Sequence, residues 1–417
     1  MLHIILHGGF IMFIKASEKG QALILITLAA IGLIAFAALA IDGSIIFSDK
    51  RHAQNAADAA ALAGSLAYVR DNDIETAAQT RTADNGYDGG EKSDVTVTTT
   101  DIAAGSGECP GDVEGKEIKV TIVSNVKTTF ARVIGRKQIT NTVSATSRGC
   151  DFYTAPMFNG NAIVGLKPNI SGDCSFDSGN SNAAHWTVKG GGIFSNGCAF
   201  SKNNASVDLD PGKCVTSVGT ATGFTCSQPN QSSLAINYPA DVLAIMPSNP
   251  CDGTPGDVGL PPPAHGSIFM NGVYCISDLD SYDQKDIILN NATLYVTDPK
   301  FDLKFAGSGG FYGTPTQSGP YANYYMIAAY NSTPCPRFTS NNTQVIEWRG
   351  NGAGTFSGTV LAPSACLDLR GNADQSAIHS QVIGYIVGSN GDAEVYVNYQ
   401  ADENHKVPVN PSITLLK

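Results

Sequence analysis

Neither proline nor cysteine occurs before Cys109-Pro110. A chain free of proline can carry a single helix over a long distance without a break, and a chain free of cysteine has no cross-links there. Charge is also scarce: 15% of residues are Asp, Glu, Lys or Arg, and the formal net charge is −11. No basic stripe is present to neutralise phosphates, which argues against a nucleic-acid partner. The familiar catalytic signatures are missing too. No Gly-x-Ser-x-Gly, P-loop or dinucleotide fingerprint occurs, and Gly190-Gly191-Gly192 reads as turn material. His52, His185, His265 and His379 stand isolated, and no cysteine pair has the Cys-x-x-Cys spacing of a metal site. The expectation is a protein without catalytic residues and without a cofactor.

Against this background one segment stands out. Ala22 to Ile41 reads ALILITLAAIGLIAFAALAI, twenty residues with no charge, no proline and one glycine. At about 1.5 Å per residue such a helix covers roughly 30 Å, the hydrocarbon thickness of a bilayer. The run exceeds the apolar core of a cleaved signal peptide, and Asp42-Gly43-Ser44 makes a poor cleavage site. A retained single-pass anchor in the lipid bilayer is therefore expected over residues 22–41. Residues 1–21 are expected on the cytoplasmic side, with residues 1–11 reading as an over-extended start ahead of Met12. Lys15 and Lys19 before the span and Lys50 and Arg51 after it orient it only weakly.

Cysteine is the better guide to compartment. All ten cysteines follow the anchor: Cys109, Cys150, Cys174, Cys198, Cys214, Cys226, Cys251, Cys275, Cys335 and Cys366. Their even number fits disulfides in an oxidising exterior, at the cell surface or in a periplasm. Sequence proximity suggests the pairs Cys174/Cys198, Cys214/Cys226 and Cys251/Cys275.

Directly after the span, Lys50 to Val69 reads KRHAQNAADAAALAGSLAYV, with eight alanines in twenty residues. On a 3.5-residue repeat Ala53, Ala56, Ala60, Ala63 and Ala67 fall on one seam, with Leu62, Leu66 and Val69 beside it. Small residues on a seam permit close approach by another helix, so this seam is the expected packing surface for a pilin-like partner helix, with Asn55 and Asp58 off it in solvent. A second helix is expected over Ile74–Asn85. Strands follow at Asp94–Thr100, Glu117–Val123 and Gln138–Thr146, with a short amphipathic helix at Lys127–Gly135 ended by its glycine.

From Cys150 the texture changes to short apolar runs broken by Gly-Asn, Asn-Gly and Gly-Gly, as in VKGGGIFSNGCAFS and GSIFMNGVYCIS. The expected fold is thus a membrane-anchored α+β unit over 42–148, a long helix with a small sheet, followed by an all-β domain over 149–417. That domain reads as a β-solenoid or β-helix, with a β-sandwich as the alternative. A Pro-rich loop lies near 255–266.

Three smaller features carry groups capable of chemistry. Asp368-Leu369-Arg370 places an acid and a base on one face of a strand, which more often makes a surface ion pair than an active site. Asp278, Asp280, Asp283 and Asp286 offer oxygen ligands of the kind Ca²⁺ takes, but lack the glycine and spacing of an EF-hand and read as a solvated loop. Tyr321, Tyr324 and Tyr325 could stack on surface glycans if exposed, although core packing suits them better.

The N-terminal third resembles the Tad-like putative Flp pilus-assembly family, in its TadE/TadG group. The resemblance is carried by Glu18-Lys19-Gly20, Leu39-Ala40-Ile41-Asp42, Lys50-Arg51 and the run Gln54-Asn55-Ala56-Ala57-Asp58-Ala59-Ala60-Ala61-Leu62-Ala63. Phe130-Ala131-Arg132-Val133-Ile134-Gly135 and Val143-Ser144-Ala145-Thr146-Ser147 extend it. It implies a bitopic envelope protein of a tight-adherence pilus or a related secretion apparatus, with other Tad/Flp components as partners. It brings no catalytic residues. Two departures accompany it: Leu25 stands where Flp pilins carry a glutamate, and no Asp-x-Ser-x-Ser metal motif occurs.

Overall fold

The computed structural model describes residues 19–169, 174–179, 184–202, 205–253, 259–261, 268–277, 286–297, 302–305, 311–336, 344–350, 355–371, 378–389 and 394–416. The expected over-extended start at 1–11, the acidic residues Asp278, Asp280 and Asp283, and the Pro-rich loop apart from 259–261 lie outside them. The chain forms two compact units: residues 1–153 with 409–417, and residues 154–408. The second unit is thus inserted into the first. The expected boundary at 148/149 falls inside a strand of the first unit, and the last residues belong to that unit and not to the β domain.

The first unit begins with α1, Lys19–Tyr68, a helix of 50 residues. The absence of proline permits it, and alanine favours it as the residue with the highest helix propensity. After a short turn α2 covers Ile74–Asp84, and Asp73 caps it by accepting from the Thr76 amide at 2.7 Å. Three antiparallel strands follow: β1 Ser93–Ile102, β2 Gly115–Lys127 and β3 Gln138–Cys150. The C-terminal strand Ser412–Leu416 pairs antiparallel with β3 and completes a four-stranded sheet. β2 alternates buried and exposed residues along its length, as a strand with one covered face must. The covering layer is the second half of α1 with α2. Ala53, Ala56, Ala57, Ala60 and Ala61 pack with Ile118, Val120, Ile122, Val143 and Ala145 in one core. Short side chains bring the helix axis close to the sheet, and at Gly64 even a methyl group is crowded: a Cβ there would lie 2.9 Å from Cγ2 of Ile118. The expected amphipathic segment at 127–135 is the turn joining β2 to β3. Its Ala131–Ile134 forms a single 3₁₀ turn ended by Gly135 in the left-handed region (φ 89°).

The second unit is built almost wholly of short strands. Among the described residues its main sheet has sixteen strands, and every pairing in it is parallel. The spatial order starts at Ser227–Gln228 and passes through Val215–Ser217, Ile193–Ser195 and Ile163–Gly165. It continues through Val382–Gly388, Thr359–Gly371, Tyr324–Ala328 and Ile287–Val296 to Ile268–Ile276 and Gly259–Leu260. The chain therefore starts mid-stack at Ile163, builds to one end, crosses to the far end, and returns to lie against its own first strand. Residues 229–253 lie on the crossing.

Successive residues on these strands point to opposite faces, and both faces are covered. Ile163, Ile193, Leu294, Met326, Val360 and Val382 enter one core, with Trp186 and Phe176. Their neighbours Val164, Phe194, Tyr295, Ile327, Leu361 and Ile383 enter another, closed by Val242 with Ile236, Tyr238, Ile245 and Met246 of the crossing segment. Burial on both faces explains why the strands read as apolar doublets and not as an alternation. Within the paired strands Ile268–Ile276 and Ile287–Val296, Asn271 and Asn291 both adopt left-handed φ (51° and 55°), and the Asn291 amide donates to Oδ1 of Asn271 at 3.0 Å.

Five disulfides close the structure: Cys109–Cys150 in the first unit, and Cys174–Cys198, Cys214–Cys226, Cys251–Cys275 and Cys335–Cys366 in the second. The three pairs named from sequence proximity are among them, and no cysteine is left free.

Candidate functional site

The residues that set this chain apart lie on α1, where the apolar run ends. From Ala22 to Ile41 the large side chains are exposed, Leu23 at 69% and Phe36 at 78%, and the helix is long and apolar enough to cross a membrane. The first residue beyond, Asp42, is only 5% exposed. Its carboxylate accepts from three successive backbone amides at the tip of the β2–β3 hairpin: Thr129 at 2.8 Å, Phe130 at 3.0 Å and Ala131 at 2.6 Å. The Ala131 amide in particular stabilises the charged form, so the Asp42 carboxyl sits below its usual range, against the opposing effect of burial.

Seven residues on, Asp49 makes a second attachment. Its Oδ1 accepts from the Tyr87 hydroxyl at 3.1 Å and from Ser124 Oγ at 3.0 Å, and its Oδ2 accepts from Asn141 Nδ2 at 2.7 Å. Ser124 and Asn141 are directly paired across β2 and β3, so a single carboxylate ties both strands to the helix. Asn141 also donates to the Ile46 carbonyl at 3.1 Å, and His52 Nδ1 lies 3.2 Å from the Tyr87 hydroxyl. Burial, then the neighbouring Asp49 charge, push the Tyr87 hydroxyl well above its ordinary range. Ser44, Ser48, His52 and Tyr87 line a shallow hollow beside these bonds. Farther along, Ser147 Oγ donates to the Ala61 carbonyl at 2.5 Å and meets Ser65 Oγ at 2.6 Å, both buried.

The expected assembly seam lies on this same stripe. Ala53, Ala56 and Ala60 are fully buried and Ala67 nearly so, while Ala63 is half-buried. What covers the stripe is the chain's own sheet and α2, so these alanines have little surface left for a second chain's helix. Close approach is realised within the chain, because the face of a sheet laid on a small-residue stripe buries it as well as a helix would. Off the stripe, Asn55 is exposed, and Asp58 is half-buried and accepts from Gln54 at 2.8 Å. Asp42 and Asp49 were not singled out from sequence as anchoring residues. The signal was present: stepping back by heptads from Ala56 reaches Asp49 and then Asp42, two acids on an otherwise small or apolar face.

The three tyrosines pack in the core, as expected, whereas Asp368 does not lie on the surface as expected. Tyr321, Tyr324 and Tyr325 are 4%, 0% and 0% exposed, so no sugar can stack on them; their rings fill the interior instead. Asp368 is 1% exposed and lies in register with Glu347 on the neighbouring strand, so it is buried and not on the surface. The side chain of Arg370 lies outside the described residues. Among the described residues no group of three His, Cys, Asp or Glu is placed to hold a metal ion.

The comparisons with known proteins bear on α1 directly. Residues 20–79 match the family model described as putative Flp pilus-assembly TadE/G-like, which covers α1 and the first half of α2 and ends within the first unit. No curated protein and no solved structure matches the chain.

Proposed function

We propose that the protein is a non-enzymatic, single-pass membrane component of a Flp/Tad-type pilus assembly or a related secretion system. In this reading the N-terminus is cytoplasmic and everything after about residue 45 is extracytoplasmic. One observation carries it: the family match over residues 20–79 coincides with the helix whose first half is apolar and exposed and whose second half is fastened to a folded unit. Five disulfides support an oxidising exterior for the remainder. Since the alanine stripe is covered within the chain, the surface left for other pilus-assembly helices is the exposed apolar run itself. The inserted unit is read as a β-solenoid, a reading supported over a sandwich by the parallel pairing throughout its main sheet and by the matched pair Asn271 and Asn291; it is displayed outside together with the first unit's sheet.

The test is genetic and biochemical together. Deleting the gene should abolish or reduce surface pili, and photo-crosslinking from Phe36 in living cells should yield adducts with Tad/Flp membrane proteins. Normal piliation together with adducts to lipid alone would count against the proposal.

A further inference from the structure

The turn between β2 and β3 has a composition found in no other part of the chain. Lys127 to Lys137 reads KTTFARVIGRK, with four cations and no acid in a protein of net charge −11. Its apolar side chains face outward: Phe130 is 41% exposed, Val133 85% and Ile134 81%. Single exposed apolar residues are ordinary on protein surfaces, but three on one short turn, interleaved with Arg132, Arg136 and Lys137, make an amphipathic tip.

This tip is held in shape. Thr128 Oγ1 bonds the Arg136 carbonyl, the Thr128 amide donates to Lys137 at 3.2 Å, and the Gly135 amide closes the 3₁₀ turn onto Ala131 and Arg132. It is also held in place. Asp42, the residue that ends the apolar run of α1, takes the amides of Thr129, Phe130 and Ala131. The exposed tip is therefore pinned level with the point where the helix would leave the hydrocarbon.

We propose that this hairpin tip docks on the lipid surface from which α1 emerges. Val133 and Ile134 enter the interface between headgroups and acyl chains, and Arg132, Arg136 and Lys137 meet anionic headgroups. The proposal rests on residues 22–41 spanning the bilayer. Apolar side chains with flanking cations are what the interface accepts, and juxtamembrane cations are attracted to anionic lipid. The rest of the acidic chain is repelled by such a surface, so the tip is the part with complementary charge. Docking would give the helix and its sheet two points of contact with the membrane and thereby fix their tilt.

The test uses the full chain reconstituted in vesicles of mixed phosphatidylcholine and phosphatidylglycerol. Val133→Trp alters an exposed side chain and leaves the fold intact; Leu33→Trp, in the apolar run, is the control for the span. Fluorescence is compared with the parent protein, using lipids that carry a nitroxide near the headgroup or near the bilayer centre. The expected result is blue-shifted Val133→Trp emission quenched by the shallow nitroxide, and Leu33→Trp emission quenched by the deep one. Adding Arg132→Glu and Arg136→Glu to Val133→Trp should remove most of the shallow quenching. If Leu33→Trp is quenched while Val133→Trp emits as in water, the docking proposal fails and the anchor stands. If neither is quenched, both fail. In cells, a photo-crosslinker at position 133 captured by a protein in place of lipid would also overturn docking.

Discussion

Asp42 and Asp49 stand seven residues apart on one face of α1, and both carboxylates reach the same β2–β3 hairpin, the first its tip and the second its body. Seven residues are close to two helical turns, so two acids on that spacing clamp a helix along a strand pair at two heights. The first clamp lies where the apolar run ends.

Losing the outer clamp should loosen the tip alone. In Asp42→Ala the amides of Thr129, Phe130 and Ala131 lose their acceptor, and their hydrogen exchange should accelerate while amides within β2 and β3 keep their protection. The same clamp has a pH limit. Because the folded Asp42 carboxyl is held below its ordinary value of 3.8, its contribution is complete above that pH and fades as pH falls through the lower folded value. Exchange at these amides measured against pH checks both statements.

The alanine stripe gives a prediction opposite in kind to an intermolecular seam. Ala60→Trp or Gly64→Leu forces bulk between α1 and Ile118, where the added atoms have no room. Overpacking of this kind typically costs about 1–3 kcal/mol, and a tryptophan at a fully buried alanine should reach the upper end or beyond. The first unit should therefore melt earlier, measured by thermal unfolding in detergent, while the near-ultraviolet signal of buried Trp186 in the second unit persists. An unchanged melting curve with lost co-purification of partners would return the stripe to an intermolecular role.

The sequence made some of this structure easy to read and hid the rest. The long helix is legible because a proline-free, alanine-rich stretch after an apolar run has few other conformations open to it. Three disulfides are legible because Cys174/Cys198, Cys214/Cys226 and Cys251/Cys275 join segments that stack soon after one another. Cys109–Cys150 and Cys335–Cys366 also join consecutive cysteines, but over longer intervals of 41 and 31 residues, which mark a pair less clearly. The return of Ser412–Leu416 to β3 was not legible, since SITLL would suit any strand, and neither was the order of the stack. The covering of the alanine stripe by a sheet was hidden for a physical reason: small residues signal close approach, but not by what.

Removal of a staple within the stack should be felt across the second unit. Replacing Cys214 and Cys226 by alanine opens a loop closed over 12 residues. Native disulfides commonly contribute about 2–4 kcal/mol, less for short loops. The expectation is a lower melting temperature for that unit, seen by calorimetry, with the first unit's transition unmoved.

Acid should also weaken the second unit in a window of its own. His405 stacks on Tyr324 with ring centroids 4.1 Å apart and donates through Nδ1 to the Ala322 carbonyl at 2.8 Å. Burial holds its pKa below the ordinary 6.5, outweighing the Ala322 bond. A depressed histidine favours the folded state above the unfolded pKa, so stability should fall as pH drops from 6.5 through the lower folded value. In His405→Phe that part of the pH dependence should flatten, measured by denaturant midpoints across the range.

The most direct measurement is the fate of the full chain in cells fractionated, washed with alkaline carbonate, and exposed to protease from outside, with any outer envelope permeabilised. An anchored chain stays with the membrane pellet, loses its extracytoplasmic portion to the protease, and shows no free thiol before reduction. A chain recovered in the soluble fraction, shielded from external protease and with its ten cysteines open to alkylation, would contradict the anchored, exported architecture.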